Sequence, residues 1–363
     1  MTYLDANAAE PLRPAARDAV LAALDEVGNP SSVHGPGRAA RRLLETARER
    51  LAILFGARPA DLVFVSGGTE ADALALHAFG TGRRLIIGAT EHDAVRAAAP
   101  EATILPVDRS GQADLERLAA LLAAGPPALV ALMFANNETG VLHPIAAAAD
   151  LCRRFGAFLH IDAVAAAGRV PIDFARLGAT SLALSSHKLG GPAGAGALLL
   201  APQAARQFRP LIEGGGQERG RRGGTPPVAA LAGFAAAAAS AAADPPTLAA
   251  LRDEAERAAV AAGAIVCGRR APRLANTTSL ALPSVKAETQ VIALDLAGVA
   301  VSAGAACSSG KVAESHVLVA MGLGPLAGQT IRVSLPWNAA PADVEHFVSA
   351  YRDMASRLLR PAA

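Results

Sequence analysis

Short apolar runs, each ending in polar or glycine-rich sequence, recur along the first two hundred residues. They are DLVFVSGG, RRLIIGATEH, ALVALMFANNETG, FLHIDAV, SLALSSHK and AGALLLA. Helix-compatible segments separate them, and that alternation predicts a mainly parallel sheet with helices on both faces. Ahead of the first run, RAARRLLETARERLAILFG (38–56) sets leucines at helical spacing and predicts a surface helix with exposed arginines. The stretch AALAGFAAAAASAAAD (229–244) is too short and too weakly apolar to span a bilayer, and predicts a buried helix. After it, ADPPT near 244–247 interrupts the helical pattern before the better-charged LAALRDEAERAAVAAG, which places a boundary between a large and a small domain there. No internal repeat is apparent.

Composition narrows the function classes. A chain of 363 residues is long enough for two domains. A formal net charge of +2 with 18% charged residues gives no electrostatic case for a nucleic-acid or membrane surface. The opening MTYLDANAAEPLRP has an early acid and no apolar core, so no signal peptide is expected and a cytoplasmic setting follows. The cysteines, at 152, 267 and 307, show no CxxC spacing and point to neither a disulfide framework nor a zinc site. Cys152 in AADLCRRFG and Cys267 in AGAIVCG read as packing residues, whereas Cys307 lies among the small residues of VSAGAACSSGK, in an accessible loop.

Lysine changes the picture more than net charge does. It occurs only at 188, 286 and 311, although Lys plus Arg total 34. A lysine kept at the end of an apolar run is a candidate for use as an amine, since it can deprotonate and form a Schiff base where arginine cannot. In parallel sheets, ligands bind beyond the carboxyl ends of the strands. His92, Asn136, Asn137, Asp162, His187 and Lys188 all follow such runs. The link Gly67-Gly68-Thr69 between DLVFV and a helical pattern can hold a phosphate on backbone amides, or can simply cap a helix. GGPAGAG lacks the GK[ST] ending of a nucleotide P-loop, which disfavours ATP. A phosphate cup, an acid on a buried strand end and a strand-end lysine together suit pyridoxal phosphate. Two other readings of Asp162 stay open: a salt-bridged acid, or a metal ligand with His160, because HID puts both side chains on one strand face.

From YLDANAA to IRVSLP the chain resembles the cysteine desulfurases of the class V aminotransferase family. The blocks that carry the resemblance are GNPSSVHGPGRAA, VSGGTEADALAL, EHDAV, ANNETGVLHPI, HIDAVAAAGRVPID, SSHKLGGPAGAGAL, GGGQERGRRGGT and SAGAACSSG. The resemblance implies an α/β, pyridoxal-phosphate-dependent transferase of fold type I. A mainly parallel large domain would span 14–246, and a smaller α+β domain, built from 1–13 and 247–363, would carry the catalytic cysteine loop. It also implies a homodimer that converts L-cysteine to L-alanine and an enzyme persulfide, then passes sulfur to an acceptor protein such as an iron–sulfur scaffold. Lys188 becomes the Schiff-base lysine, Asp162 the partner of the pyridine nitrogen, and His92 the residue that stacks on the ring and moves protons. Gly68, Thr69, Ser185 and His187 match phosphate-binding positions, and Thr225 one that reaches the partner's cofactor. Asn137 and Arg332 match the pair that holds the substrate carboxylate. Cys307 matches the catalytic cysteine, in a form resembling the subgroup with a longer, mobile loop rather than the subgroup with an RxGHxC motif.

Two positions depart from the family pattern. Ala165 replaces a glutamine able to hydrogen-bond the cofactor's phenolic oxygen, and Gly223 replaces a serine near the phosphate loop. The competing readings are a selenocysteine lyase or another C–S β-lyase with the same cofactor, and a non-catalytic scaffold for sulfur assembly.

Overall fold

The computed structural model describes residues 1–241, 247–304 and 314–359. A seven-stranded sheet has the spatial order Leu62–Val65, Gly196–Leu200, Ser181–Ser185, Phe158–Asp162, Ala128–Met133, Arg84–Gly88 and Thr103–Leu105. Gly196–Leu200 runs against both its neighbours, and every other pairing is parallel. All residues of Ala128–Met133 and Gly196–Leu200 are buried, which explains why these strands read as continuous apolar runs rather than as alternating ones. The six expected runs all form strands. The seventh, Thr103–Leu105, gives no such signal because it is a short edge strand with two of its three residues exposed.

The helix expected at 38–56 spans Gly35–Leu54. It starts earlier because the His34 ring accepts the Gly37 amide at 3.2 Å, and Pro36 occupies the first turn, where a missing N–H costs nothing. Its arginines are not all exposed. Arg48 is buried, paired through both terminal nitrogens with Glu218 at 2.7 Å and stacked over the Phe64 ring. This helix and Pro14–Leu24 both pack on Val228–Ala241, whose Leu231, Phe234 and Ala237 are fully buried. The ADPPT interruption begins beyond Ala241, and residues 242–246 lie outside the described residues.

A second, antiparallel sheet has the order Ser302–Ala303, Thr330–Ser334, Thr277–Ala281 and Ile265–Cys267. Beside it, Thr2–Tyr3 pairs in parallel with Val299–Ala300. Leu4 therefore joins an apolar cluster with Leu280, Leu294, Ile331, Phe347 and Tyr351, far away in sequence. No helix among the described residues is long and apolar enough to cross a membrane. Parallel pairing brings the carboxyl ends of the main-sheet strands to one edge, and there Asp5–Ala8 and Arg332 of the second sheet meet them.

Candidate active site

One cavity lies at that edge. Gly68 and Thr69 line it from the start of the helix Gly68–Gly80, and Asp162 from the last position of its strand. Ser185, His187 and Lys188 come from the end of Ser181–Ser185 and the turn after it, and His92, Asn137 and Arg332 complete the wall. The sequence-predicted residues at these nine positions thus share a single site. The glycines have a packing reason: a Cβ on Gly68 would stand 2.6 Å from the Val164 side chain, so only glycine lets the helix start this close to the loop after Asp162. Gly67, at the N-cap, makes no side-chain cap, which leaves first-turn amides for an anion.

Polar contacts fix the groups. Lys188 Nζ donates to the Asn7 carbonyl and, at 3.1 Å, to that of Ala8. Burial, reinforced by the Arg332 and Arg169 cations, pushes the amine down to about 7, against the pull of Asp5 and Asp162. Burial, with the Asp72 carboxyl nearby, pushes Asp162 up to about 7, while its Oδ1 accepts the Val164 amide at 2.9 Å. Ser185 Oγ lies 3.0 Å from His187 Nδ1, and burial followed by the neighbouring Lys188 lowers that imidazole to about 4. His92 caps the helix Asp93–Ala98, its Nδ1 accepting the Ala94 amide at 3.1 Å. Arg332 donates to Asp5 Oδ1 at 2.7 Å and to the Asn137 carbonyl at 3.2 Å, and its buried Nε has no partner among the described residues.

Sequence reasoning missed several residues here. Asn7 donates to the Asn137 carbonyl at 2.9 Å and to Thr277 at 3.0 Å, and so ties the N-terminal segment to the cavity wall. Asp72 lines the cavity and lies 3.1 Å from His160 Nε2, while His160 Nδ1 lies 2.9 Å from Ser181 Oγ. Both His160 nitrogens are thereby occupied within the protein, which corrects the reading of His160 as a metal ligand. Glu91 and Glu138 are buried acids whose carboxyls burial pushes up, Glu138 to about 7. Their only sequence signal was adjacency, Glu91 to His92 and Glu138 to Asn137. Asn136 proves to be a turn residue, its Oδ1 accepting from Glu138, Thr139 and the Thr139 hydroxyl.

Thr225 is exposed and outside this cavity within one chain. Cys307 lies outside the described residues. Cys152 and Cys267 are buried, and burial pushes their thiols up to about 12 and about 11. Ala165 lines the cavity. The glycine at 223 has a local cause: a Cβ there would come within 2.6 Å of the Glu213 backbone, leaving no room for serine in this loop geometry.

Comparison with known proteins bears on the family and the fold. A cysteine desulfurase of Cereibacter sphaeroides is 40% identical over 98% of this chain and 96% of its own length. An IscS-like cysteine desulfurase of Mycobacterium tuberculosis is 36% identical over 100% and 98%. The solved structure of a NifS-like protein from Rickettsia africae superposes with a TM-score of 0.91 at 33% identity, covering 98% of this chain and 99% of that one. The architecture is that of pyridoxal-phosphate-dependent transferases of fold type I. With residues 2–347 matching aminotransferase class-V as a continuous unit, this chain belongs to the class V aminotransferase family.

Proposed function

We propose that the protein is a pyridoxal-phosphate-dependent cysteine desulfurase, which converts L-cysteine to L-alanine and leaves the sulfur as a persulfide on Cys307. The observation that carries this reading is the convergence of Lys188, its amine lowered to about 7, with Asp162 and Arg332 in one cavity. These residues fit the cofactor. Lys188 would hold its aldehyde, Asp162 its ring nitrogen, and Thr69, Ser185 and His187 with the uncapped helix start its phosphate. When bound, pyridoxal phosphate supplies an electron-accepting ring that withdraws density from the substrate's Cα.

The protein's own groups do the rest. Arg332 and Asn137 hold the substrate carboxylate, with the guanidinium as the charge-assisted donor. Because Nδ1 of His92 is engaged by Ala94, Nε2 is the nitrogen left to move a proton. The Cys307 thiolate attacks the substrate sulfur, so that one C–S bond breaks, one S–S bond forms, and protons complete the methyl group and Cα of alanine. An acceptor protein, an iron–sulfur scaffold in this reading, then takes the terminal sulfur. The protein would work as a cytoplasmic homodimer, with Thr225 reaching the partner's phosphate site, and with a large domain of 14–246 and a small domain of 1–13 and 247–363.

Incubating the holoenzyme with L-cysteine and measuring alanine together with the mass of the Cys307 peptide tests the reading. One alanine for each added sulfur atom on Cys307 is expected. Alanine without sulfur on the peptide would indicate a lyase, and no alanine would remove the desulfurase reading.

A further inference from the structure

Asp5 lies where three segments meet. Its backbone is held in parallel register with Ser334, the Ala6 amide donating to the Ser334 carbonyl at 3.0 Å and the Ser334 amide to that of Leu4 at 2.9 Å. Its side chain uses both oxygens. Oδ1 accepts from Nη2 of Arg332 at 2.7 Å, and Oδ2 accepts the Ser302 hydroxyl at 2.7 Å. Ser302 and Arg332 are themselves direct partners across the antiparallel strands Ser302–Ala303 and Thr330–Ser334. The Asp5 carboxylate thus bridges two side chains that the register of the second sheet has already placed side by side.

An ion pair that only neutralises itself needs nothing further. Arg332 differs, because it lines the cavity and its fork is not used up. It is buried, its one ion pair among the described residues is with Asp5, and its Nη1 donates to the Asn137 carbonyl at 3.2 Å. Each terminal nitrogen therefore retains a second proton. An arginine side chain has several rotatable bonds, and its planar fork grips a carboxylate through two parallel bonds only when the plane is set beforehand. Asp5 on Nη2 and the Asn137 carbonyl on Nη1 set that plane. Asp5 is not among the residues that line the cavity, so it acts through Arg332 rather than on the substrate. We propose that Asp5 is a positioning residue for substrate recognition, its carboxylate, itself aimed by Ser302, fixing the Arg332 guanidinium in the orientation that takes the carboxylate of the amino-acid substrate. The inference rests on the reading of Arg332 as the substrate-carboxylate site.

The test uses holoenzyme and two ligands whose sulfur is capped by a methyl group: S-methyl-L-cysteine and 2-(methylthio)ethylamine, the same molecule without its carboxylate. Each is titrated in and followed by the change in cofactor absorbance. In the parent the amino acid should bind the tighter of the two. Asp5→Ala should raise the midpoint for S-methyl-L-cysteine by about tenfold to a hundredfold and move that of the amine by less than about threefold. Asp5 also pulls on the Lys188 proton, but that effect reaches both ligands alike, and only their difference reads the guanidinium. If Asp5→Ala fails to fold, Asp5→Asn, close in shape but without the charge, should show the same selective loss at about threefold to tenfold. An unchanged amino-acid midpoint in the folded variants overturns the inference alone. So does an equal weakening of both ligands, since that marks a merely structural role. If the parent itself does not distinguish the two ligands, the reading of Arg332 fails, and this inference with it.

Discussion

At the scale of single residues, the decisive property is a lysine whose amine gives up its proton near neutral pH. Burial and two arginines bring Lys188 down to about 7, so its neutral form predominates above that pH and its protonated form below. Only the neutral amine attacks an aldehyde. Loading of cofactor-free protein with pyridoxal phosphate should therefore accelerate as pH rises through about 7 and then level off, followed as borohydride-reducible attachment. A rate that climbs only near the ordinary lysine range would show that the amine is not depressed. Lys188→Ala should abolish attachment while leaving the fold intact, and label at Lys286 or Lys311 in that variant would reassign the amine. Ala165 offers a complementary test. Its small side chain lines the cavity at the position where the resemblance to the cysteine desulfurases implies a glutamine, so Ala165→Gln can add a hydrogen bond to an ionised oxygen. Such a bond contributes about 1.5–3 kcal/mol, so cofactor retention through dialysis should rise by about tenfold or more. Equal retention in variant and parent would mean that the contact is already compensated.

At the scale of elements, Arg48 shows where sequence patterns stop. The helix 35–54 was legible from its leucines, but arginine on a polar helix is ordinarily solvated, and its partner Glu218 lies far along the chain in a glycine-rich segment. The pair is buried on both sides, with side-chain exposures of 5% and 3%, and Glu218 also accepts the Phe64 amide at 2.8 Å. The helix is thereby fastened to the first strand and to the loop that leads toward Thr225. Removing one partner strands the other as a buried charge, so Arg48→Ala should cost about 3–5 kcal/mol in denaturant unfolding. An isosteric Glu218→Gln in the same background should return part of it, because the uncompensated charge is gone. A loss below about 1 kcal/mol would show that water reaches the pair. The same contrast runs through the fold. Six buried strands and the lysine, acid and histidines at their ends were visible, because apolar runs and polar terminations are local signals. The edge strand Thr103–Leu105, the Asn7 tether and the Asp72–His160 contact were not, because each depends on partners that only the folded chain brings together.

At the scale of the whole molecule, the outlying residue is Thr225. Nine of the expected site residues share one cavity, yet Thr225 is exposed and apart from it. A contact with the phosphate of the partner's cofactor would resolve that separation, and each site would then need two chains. The requirement can be tested without locating the interface. Lys188→Ala subunits keep Thr225 but lack the amine, and Thr225→Ala subunits keep the amine but lack the hydroxyl. If the contact is made in trans, a hybrid dimer contains one site with both groups and one with neither. At limiting pyridoxal phosphate, verified subunit exchange should raise binding above the level of either variant alone. If the contact is made within one chain, no hybrid site regains both groups. Exchange would then bring no gain even though Thr225→Ala alone weakens binding, and the two-chain site would have to be abandoned.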